Sequence, residues 1–501
     1  MEKIRPNAPI LAILLLALTL RSIGIFSRPI WYDEAFSLLL AEKGPSEILN
    51  GTLLPKADSS AAEEHPPLYY FSLWGWMKVF GASIPAARAF SLSMSVAGIA
   101  LLYLIASELF DQQTAITAAI LSAILPFQIH FAQEVRMYAL LTLWLMLTTL
   151  AFLRARNQWK WWIVFSIFAA LAQYTHNLAA VYLIPLALTP LFQKDWKTLR
   201  PLILAGLCSL ILYLPWGIHL PAQLTKVSAA YWVERPGVEK IFTLFLFYLP
   251  HVPLSGIWLA VGLLLAVLII FLAGFQTYFA KKNHYENLER GLWVAYLSFA
   301  PPLLLWGISQ FMPVYVERAL LPAHAIFCIW LAWALTQTKF PKPLQFFTSG
   351  MIFTVAAIGF FQHVTYNGFP YAPYAELNAY LESKIEPGDL ILHSSKLSYL
   401  PAFYDDPTLP QGFILDAPGS NVDTLAPATR QIFGLTSYAT IAEATQTTPR
   451  IWFIIFQNSI DEYTASGETS HPQLEYLNSQ FTLVSVENWG GLRLYQFEKK
   501  R

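Results

Sequence analysis

Long apolar runs, broken at short intervals by charged or proline-containing segments, fill the first three quarters of the chain and are missing from the last quarter. A helix that crosses the hydrocarbon of a bilayer needs roughly 20 mostly apolar residues, because lipid offers its backbone no hydrogen-bond partner. Stretches that meet this need lie near residues 8 to 27, 89 to 109, 113 to 131, 137 to 153, 161 to 176, 178 to 192, 201 to 219, 255 to 277, 291 to 309, 318 to 337 and 344 to 366. Two more, Pro66 to Phe80 and Ile241 to Pro250, are short and bounded by proline. Their length suits interfacial or re-entrant helices rather than spans. The start, Met1-Glu2-Lys3-Ile4-Arg5 and an apolar run, has the charge pattern of a secretory signal, but Phe26-Ser27-Arg28-Pro29 offers no small-residue cleavage site. That run is read as the first span.

Short cytoplasmic loops collect Lys and Arg, and this tests the register. With eleven spans and a cytoplasmic N-terminus, the inner loops hold Lys3 and Arg5, then Arg154, Arg156 and Lys160, then Lys194, Lys197 and Arg200, then Lys281, Lys282 and Arg290, then Lys339 and Lys342. Counting Pro66 to Phe80 as a span moves the Arg154 and Lys194 clusters to the opposite side. If Ile241 to Pro250 crosses as well, thirteen spans result, and this is the alternative. Either number is odd, so the chain after residue 366 is expected outside a plasma membrane that it crosses many times. The expected division is a mainly α transmembrane bundle over 1–368, with interfacial helices in a first outer loop at 28–88, and a soluble extracytoplasmic α/β domain over 369–501. In the latter, Asp389 to His393, Ile451 to Phe456 and Leu483 to Val486 read as strands, Tyr374 to Ile385 as a helix, and Asn488-Trp489-Gly490-Gly491 as a hairpin turn. It contains neither a Gly-rich nucleotide fingerprint nor a P-loop.

Composition agrees with a lipid-solvated fold. The 501 residues are 55% hydrophobic and 13% charged, with a mean hydropathy of +0.45, which excludes an ordinary soluble globule. Lys plus Arg equals Asp plus Glu at 32 each, so no charge excess points to nucleic acid. Cys208 and Cys328 both sit in apolar runs, as buried thiols do, and form no disulfide framework or metal pattern.

Charged residues at membrane depth are costly, and here they gather on one side. The first outer loop opens with Pro29-Ile30-Trp31-Tyr32-Asp33-Glu34, two acids among aromatics suited to the interface, and continues to Glu63-Glu64-His65-Pro66-Pro67-Leu68-Tyr69-Tyr70, with Arg88 at its end. The next outer loops carry Gln128-Ile129-His130-Phe131-Ala132-Gln133-Glu134-Val135-Arg136-Met137-Tyr138, then Gln173-Tyr174-Thr175-His176-Asn177, and later Tyr315-Val316-Glu317-Arg318. Taken singly, each Arg has a bland reading as a side chain snorkelling to headgroups. Together they mark the outer face as the site, because the inner loops hold only topology signals.

In order and spacing, these segments resemble the GT-C superfamily of integral membrane glycosyltransferases. They are most similar to its family 39-like group of protein O-mannosyltransferases, lipid A aminoarabinose transferases and RgtA/B/C/D-like enzymes. The resemblance covers nearly the whole chain: Arg21, Trp31-Tyr32-Asp33-Glu34, His65-Pro66-Pro67-Leu68-Tyr69-Tyr70, Gln133-Glu134-Val135-Arg136-Met137-Tyr138, Tyr174-Thr175-His176 and Glu317-Arg318 before Leu320-Leu321-Pro322. It implies an inverting transfer from a polyprenyl-phosphate-linked sugar, with Asp33 as general base and Glu34 as its neighbour and understudy. Where aminoarabinose transferases carry a lysine before the Pro-Pro pair this chain has His65, as protein mannosyltransferases do, which leaves the sugar open.

In such a transfer a carboxylate removes the acceptor proton while the leaving phosphate gathers charge, so pre-arranged donors are required. Arg136, Arg318, His65 and Arg88 are the expected phosphate ligands, because arginine forks hold phosphate oxygens in pairs. Tyr32, Glu134, Tyr138, His176 and Glu317 are expected to contact substrate. The expected partners are the lipid donor, membrane lipid and an acceptor glycan, lipid or protein. No metal motif is present, although Asp33, Glu34 and His65 are a conceivable divalent-cation set. The rival readings are an oligosaccharide ligase with a diphosphate-lipid donor and a multi-pass transporter or flippase, which would show inverted repeats and interrupted midplane helices.

Overall fold

The computed structural model describes residues 8–53, 65–222, 224, 233–283, 285, 287–337, 341–416, 425 and 427–500. Of the residues singled out above, Met1 to Arg5, Glu63, Glu64 and Lys339 lie outside the described residues.

The apolar runs fold as helices: α1 (Ala8–Ser22), α2 (Tyr32–Glu42), α3 (Pro45–Leu53), α4 (Leu68–Phe80), α5 (Ile84–Leu109), α6 (Gln112–Ile124), α7 (Pro126–Ala132), α8 (Tyr138–Ala155), α9 (Trp161–Thr175), α10 (Ala179–Phe192) and α11 (Trp196–Gly217). They continue as α12 (Glu239–Tyr248), α13 (Ile257–Lys282), α14 (Leu288–Ser309), a 3-10 turn at Glu317–Leu320, α15 (Leu321–Thr336) and α16 (Lys342–Thr365). Among the described residues, seven helices are long and apolar enough to span, counting the 3-10 turn with α15; α6 and α7 form one pair bent by 59°, and α1, α9 and α10 are shorter apolar helices. All eleven stretches expected to span therefore carry apolar helix. Neither α4 nor α12 meets the criterion, as their length led one to expect.

The ends of these helices follow from local chemistry. Asp111 accepts from the Thr114 amide at 2.8 Å to cap α6, and Asp195 caps α11 through the Thr198 amide at 3.2 Å. Helix α5 begins at Ser83, whose side chain accepts from the Ala86 amide, with a proline in the first turn. It starts five residues earlier than the hydropathy suggested, so Arg88 is a helical residue inside the bundle and not part of a loop.

Pro126 has no amide hydrogen and ends α6, leaving carbonyls of its last turn without helical partners. Arg21, fully buried, satisfies them: its guanidinium donates to Ser122 O at 2.9 Å, Ala123 O at 2.9 Å and Ser95 Oγ at 3.0 Å. The bend turns the short α7 across the bundle.

Burial sorts the spans. The segment Glu317–Thr336 is 94% buried and forms the centre, whereas Ile257–Lys282 is 22% buried and turns Leu264, Val267 and Phe271 outward, as a lipid-facing helix does. Helix α16 comes close to the corner at Pro250 because it has a glycine there. A Cβ on Gly359 would lie 1.8 Å from Pro250 O.

The C-terminal unit comprises α17 (Tyr374–Glu382), β1 (Leu390–His393), α18 (Lys396–Asp405), β2 (Gln411–Ile414), α19 (Pro427–Phe433), β3 (Ser437–Tyr438), α20 (Ile441–Thr445), β4 (Arg450–Phe456), α21 (Gln457–Ala465), α22 (Pro472–Gln480), β5 (Phe481–Trp489) and β6 (Leu492–Lys499). The six-stranded sheet has the order β3-β2-β1-β4-β6-β5. Its first four strands are parallel and its last two pair antiparallel. The central parallel strands β1 and β4 are buried and nearly continuous apolar runs for that reason. Trp489 pairs with Leu492, leaving Gly490 and Gly491 as the expected two-residue turn, with Gly490 at φ +61°. This unit sits on the first loop: Phe433 packs edge-on against Phe36 of α2 at 5.3 Å, and Tyr404 donates to Glu42 at 3.2 Å. One apolar core runs from Leu141 and Leu331 in the bundle to Tyr399, Phe413 and Phe433 without a break.

Candidate active site beneath the C-terminal unit

Helix α2 begins with Tyr32, Asp33 and Glu34, and acids in a first turn are favoured by the exposed amides there. Consecutive helical residues point about 100° apart, so the two acids face different surroundings. Glu34 turns inward. Its Oε1 accepts from Arg88 Nε at 2.9 Å and from the Val135 amide at 3.0 Å, and its Oε2 accepts from Arg88 NH2 at 2.7 Å. The rest of the Arg88 fork donates to the carbonyls of Ile25, Arg28 and Pro29 at 3.2, 2.7 and 3.1 Å. Every guanidinium hydrogen of Arg88 is therefore engaged inside the protein.

Two expectations change on this geometry. Arg88 has no donor left for a phosphate, and Glu34, with a side chain 1% exposed, is closed off from any substrate. Together they pin the start of α2 to α5. The Asp33, Glu34, His65 set considered for a cation is not assembled either, because Glu34 faces away from Asp33. Among the described residues no group of three or more His, Cys, Asp or Glu side chains is placed to hold a metal ion.

Asp33 turns the other way, into a cluster of guanidinium groups. Its Oδ2 accepts from Arg318 NH1 at 2.6 Å and lies 3.6 Å from Arg136 Nε. Arg136 also donates to Ser37 Oγ at 3.1 Å, one turn along α2 from Asp33. Arg318 lies over the Tyr138 ring, 5.3 Å from its centroid, in a cation–π contact. Three segments far apart in sequence thus meet at one carboxylate, and all three come from the expected residues.

His176 and His65 form the next part of the wall, edge to face at 4.6 Å, with Tyr138 5.6 Å from His176. His176 Nδ1 accepts from the Leu178 amide at 3.0 Å. The neutral ring therefore carries its proton on Nε2, which is buried without a partner among the described residues. Glu317 is held by Lys240 at 2.9 Å, a residue of α12 that hydropathy gives no reason to select. Tyr32 packs against Phe36 at 6.4 Å. Glu134 faces His130, four residues earlier on α7, at 3.1 Å. That i, i+4 spacing was a usable signal for His130.

Helix α8 sets the distance between the site and the basic loops. It starts next to Arg136 and Tyr138 and runs for 18 residues, about 27 Å at 1.5 Å per residue, to Arg154, which pairs with Glu108 at 2.6 Å. Arg156 pairs with Asp195 at 2.8 Å, and Arg290 donates to the last carbonyl of α5, Leu109, at 2.7 Å. The basic loops and the Asp33 cluster therefore lie at opposite ends of the bundle.

Residues 64–219 match the family model described as dolichyl-phosphate-mannose-protein mannosyltransferase. Comparison with curated proteins finds no match. Among solved structures, ArnT from Cupriavidus metallidurans in the apo state superposes with a TM-score of 0.64 at 12% identity, covering 97% of each chain. The same enzyme bound to undecaprenyl phosphate gives 0.61 at 11% identity over 98% of each chain. The Archaeoglobus fulgidus oligosaccharyltransferase tethered to an acceptor peptide gives 0.52 at 12% identity, covering 99% of this chain and 74% of that one. The fold is thus that of these GT-C membrane glycosyltransferases, a multi-pass helical bundle with a C-terminal sheet unit. The family resemblance read from the sequence is borne out.

Proposed function

We propose that this chain is an inverting glycosyltransferase of the plasma membrane that takes a sugar from a polyprenyl-phosphate donor and passes it to a hydroxyl on an extracytoplasmic acceptor. The observation that carries the reading is the convergence of Arg136 and Arg318 on Asp33, at 3.6 and 2.6 Å, at the end of the bundle away from the basic loops. The superposition with an enzyme that binds undecaprenyl phosphate, and with one tethered to an acceptor peptide, supports a lipid phosphate and an acceptor as partners.

Before donor binds, both guanidinium groups offset the charge of Asp33. A lipid phosphate entering from the bilayer competes for the same forks and frees the carboxylate as it docks. The acceptor oxygen then attacks the anomeric carbon from the side opposite the phosphate while Asp33 takes its proton. The carbon–oxygen bond to phosphate breaks, and its electron pair leaves on the phosphate, where Arg136 and Arg318 hold the new charge. His176 Nε2–H and His65 are further donors to the same oxygens. Tyr32, Tyr138 and Glu317 line the space for the sugar and acceptor. Glu34 and Arg88 act by holding α2 in place.

The test is incubation of purified protein with a panel of polyprenyl-monophosphate and diphosphate sugars and candidate acceptors, followed by mass spectrometry, for wild type and Asp33→Asn. Transfer from a monophosphate donor by the wild type and not by the variant is the expected result. Transfer only from diphosphate donors, or equal transfer by both proteins, would overturn it.

A further inference from the structure

Next to the Asp33 cluster lies a buried chain of polar side chains that the proposed reaction does not use: Glu134, His130, His363, Gln133 and Arg28. Its hydrogen-bond polarity can be followed from one end to the other. Gln133 Nε2 donates to the carbonyls of Arg21 at 2.9 Å and Ile23 at 2.7 Å, which fixes the amide and leaves Oε1 as an acceptor. His363 Nε2 lies 2.9 Å from that Oε1 and must therefore carry hydrogen. Arg28 NH2 donates to the backbone carbonyl of His363 and also lies 3.2 Å from His363 Nδ1. Arginine only donates, so this nitrogen is a lone pair and His363 is neutral.

His130 Nδ1 is 3.2 Å from the same His363 Nδ1 and must donate to it. A neutral His130 then has a lone pair on Nε2, which faces Glu134 Oε1 at 3.1 Å. Two lone pairs do not make a contact of that length in a buried place. One proton has to lie between them, whether written as carboxylic acid and imidazole or as carboxylate and imidazolium. His324 provides the contrast. Its Nε2 meets Tyr248 O at 2.8 Å and its Nδ1 meets Gln128 Nε2 at 3.1 Å, so it is satisfied as a neutral ring.

We propose that Glu134 and His130 share a single buried proton, and that holding it is a condition for binding the lipid phosphodiester at Arg136 and Arg318. The phosphate role rests on the function proposed above; the shared proton rests on the hydrogen-bond chain alone. With the proton the pair is neutral, and the two arginines, offset by Asp33, retain one positive charge for the phosphate. Without it a second negative charge stands beside them and cancels that excess.

The groups facing the pair are consistent with this assignment. Arg318, Arg136 and Arg28 favour the charged form of Glu134 and Asp33 opposes it, while His251 packs on His130 at 4.6 Å. Arg21 and Arg88 are engaged elsewhere, and Glu34 is neutralised by Arg88. Burial raises the Glu134 carboxyl to about 7 against the opposing charge of Arg318. The pair therefore loses its shared proton as the pH rises. Among the described residues Glu134 Oε2 is buried without a partner, as expected of an acid whose other oxygen is engaged with His130.

The probe is a fluorescent polyprenyl-phosphate methyl ester, a phosphodiester with one fixed charge, titrated into the full chain in nanodiscs from about pH 6 to about pH 9. Wild type is expected to lose about tenfold or more in affinity across this range, and Glu134→Gln, which cannot ionise, to bind with little dependence on pH. Infrared spectra over the same titration should show a carboxylic acid or imidazolium band that disappears with rising pH and is missing from Glu134→Gln. A wild-type affinity that does not fall, a variant whose profile runs parallel to it, or no such band would each overturn the inference while leaving the glycosyltransferase reading intact. Absence of phosphodiester binding at every pH would overturn the phosphate site and the inference with it.

Discussion

Asp33 and Glu34 are neighbours in sequence but, about 100° apart on one helix, meet different partners: Asp33 Oδ2 lies 2.6 Å from Arg318 NH1, whereas Glu34 Oε2 lies 2.7 Å from the buried Arg88 NH2. Substituting each should therefore produce a different failure. Asp33→Asn is expected to lower turnover about 100-fold or more with little change in melting temperature. Glu34→Gln breaks a fully buried pair and is expected to cost about 3–5 kcal/mol of stability. Turnover and thermal unfolding measured on both variants check this, and an inactive but stable Glu34→Gln would contradict the scaffold role.

Arg136 and Arg318 approach one carboxylate with planar forks, and a point charge does not reproduce a fork. Arg136→Lys and Arg318→Lys should each weaken binding of the lipid donor by about tenfold or more, although net charge is unchanged. Equilibrium binding in detergent or nanodiscs reports it, and unchanged affinity in both would remove the phosphate assignment.

Arg21 closes the end of the helix broken at Pro126. Arg21→Met keeps the length and volume but leaves Ser122 O and Ala123 O without their donor. Two buried carbonyls left so should cost about 2–6 kcal/mol together. The variant is expected to show a lower melting temperature and proteolytic sensitivity near α6, in the absence of substrate as well as in its presence.

In the C-terminal unit, burial pushes the Asp389 carboxyl up, but hydrogen bonds from Arg450, the Glu386 amide and Trp452 outweigh it and leave the group below its ordinary value. A carboxylate depressed in the folded state contributes stability at all pH values above its unfolded value, and that contribution fades as the pH falls towards the folded one. Asp389→Asn should destabilise the unit at neutral pH, with the gap to wild type narrowing below about pH 4. Chemical denaturation of the full chain at several pH values, followed by Trp452 and Trp489 fluorescence, measures it.

Gly359 brings α16 against Pro250 and His363 to His130. Gly359→Ala forces a Cβ to 1.8 Å from a backbone oxygen. The helix must move, and the variant is expected to lose both stability and the infrared band of the shared proton.

Much of this fold was legible because a lipid solvent favours apolar helix in every segment, and each of the eleven apolar stretches carries one, seven of them of spanning length among the described residues. The Gly490-Gly491 turn was legible for a similar local reason. What sequence reading missed was direction. Hydropathy places Arg88 and Arg318 at comparable depth, yet one is enclosed by carbonyls and the other faces Asp33, and only the tertiary packing decides between them. The pairing of Lys240 with Glu317 was invisible because it joins α12 to a turn 77 residues later. The 59° bend at Pro126 was present in the sequence as a proline within an apolar run. Its effect, turning His130 and Glu134 into the interior, depends on Arg21 from a different helix.

Phe433 lies against Phe36, and Tyr404 reaches Glu42, so helix α2 is held from above as well as from the bundle. The change of composition after residue 366 is therefore no place to cut. A chain shortened there would keep all the residues proposed for chemistry, but it would uncover an apolar ledge on the helix that aims Asp33. The C-terminal unit is thus a bearing surface for catalysis, and its removal should disarm the enzyme, not miniaturise it.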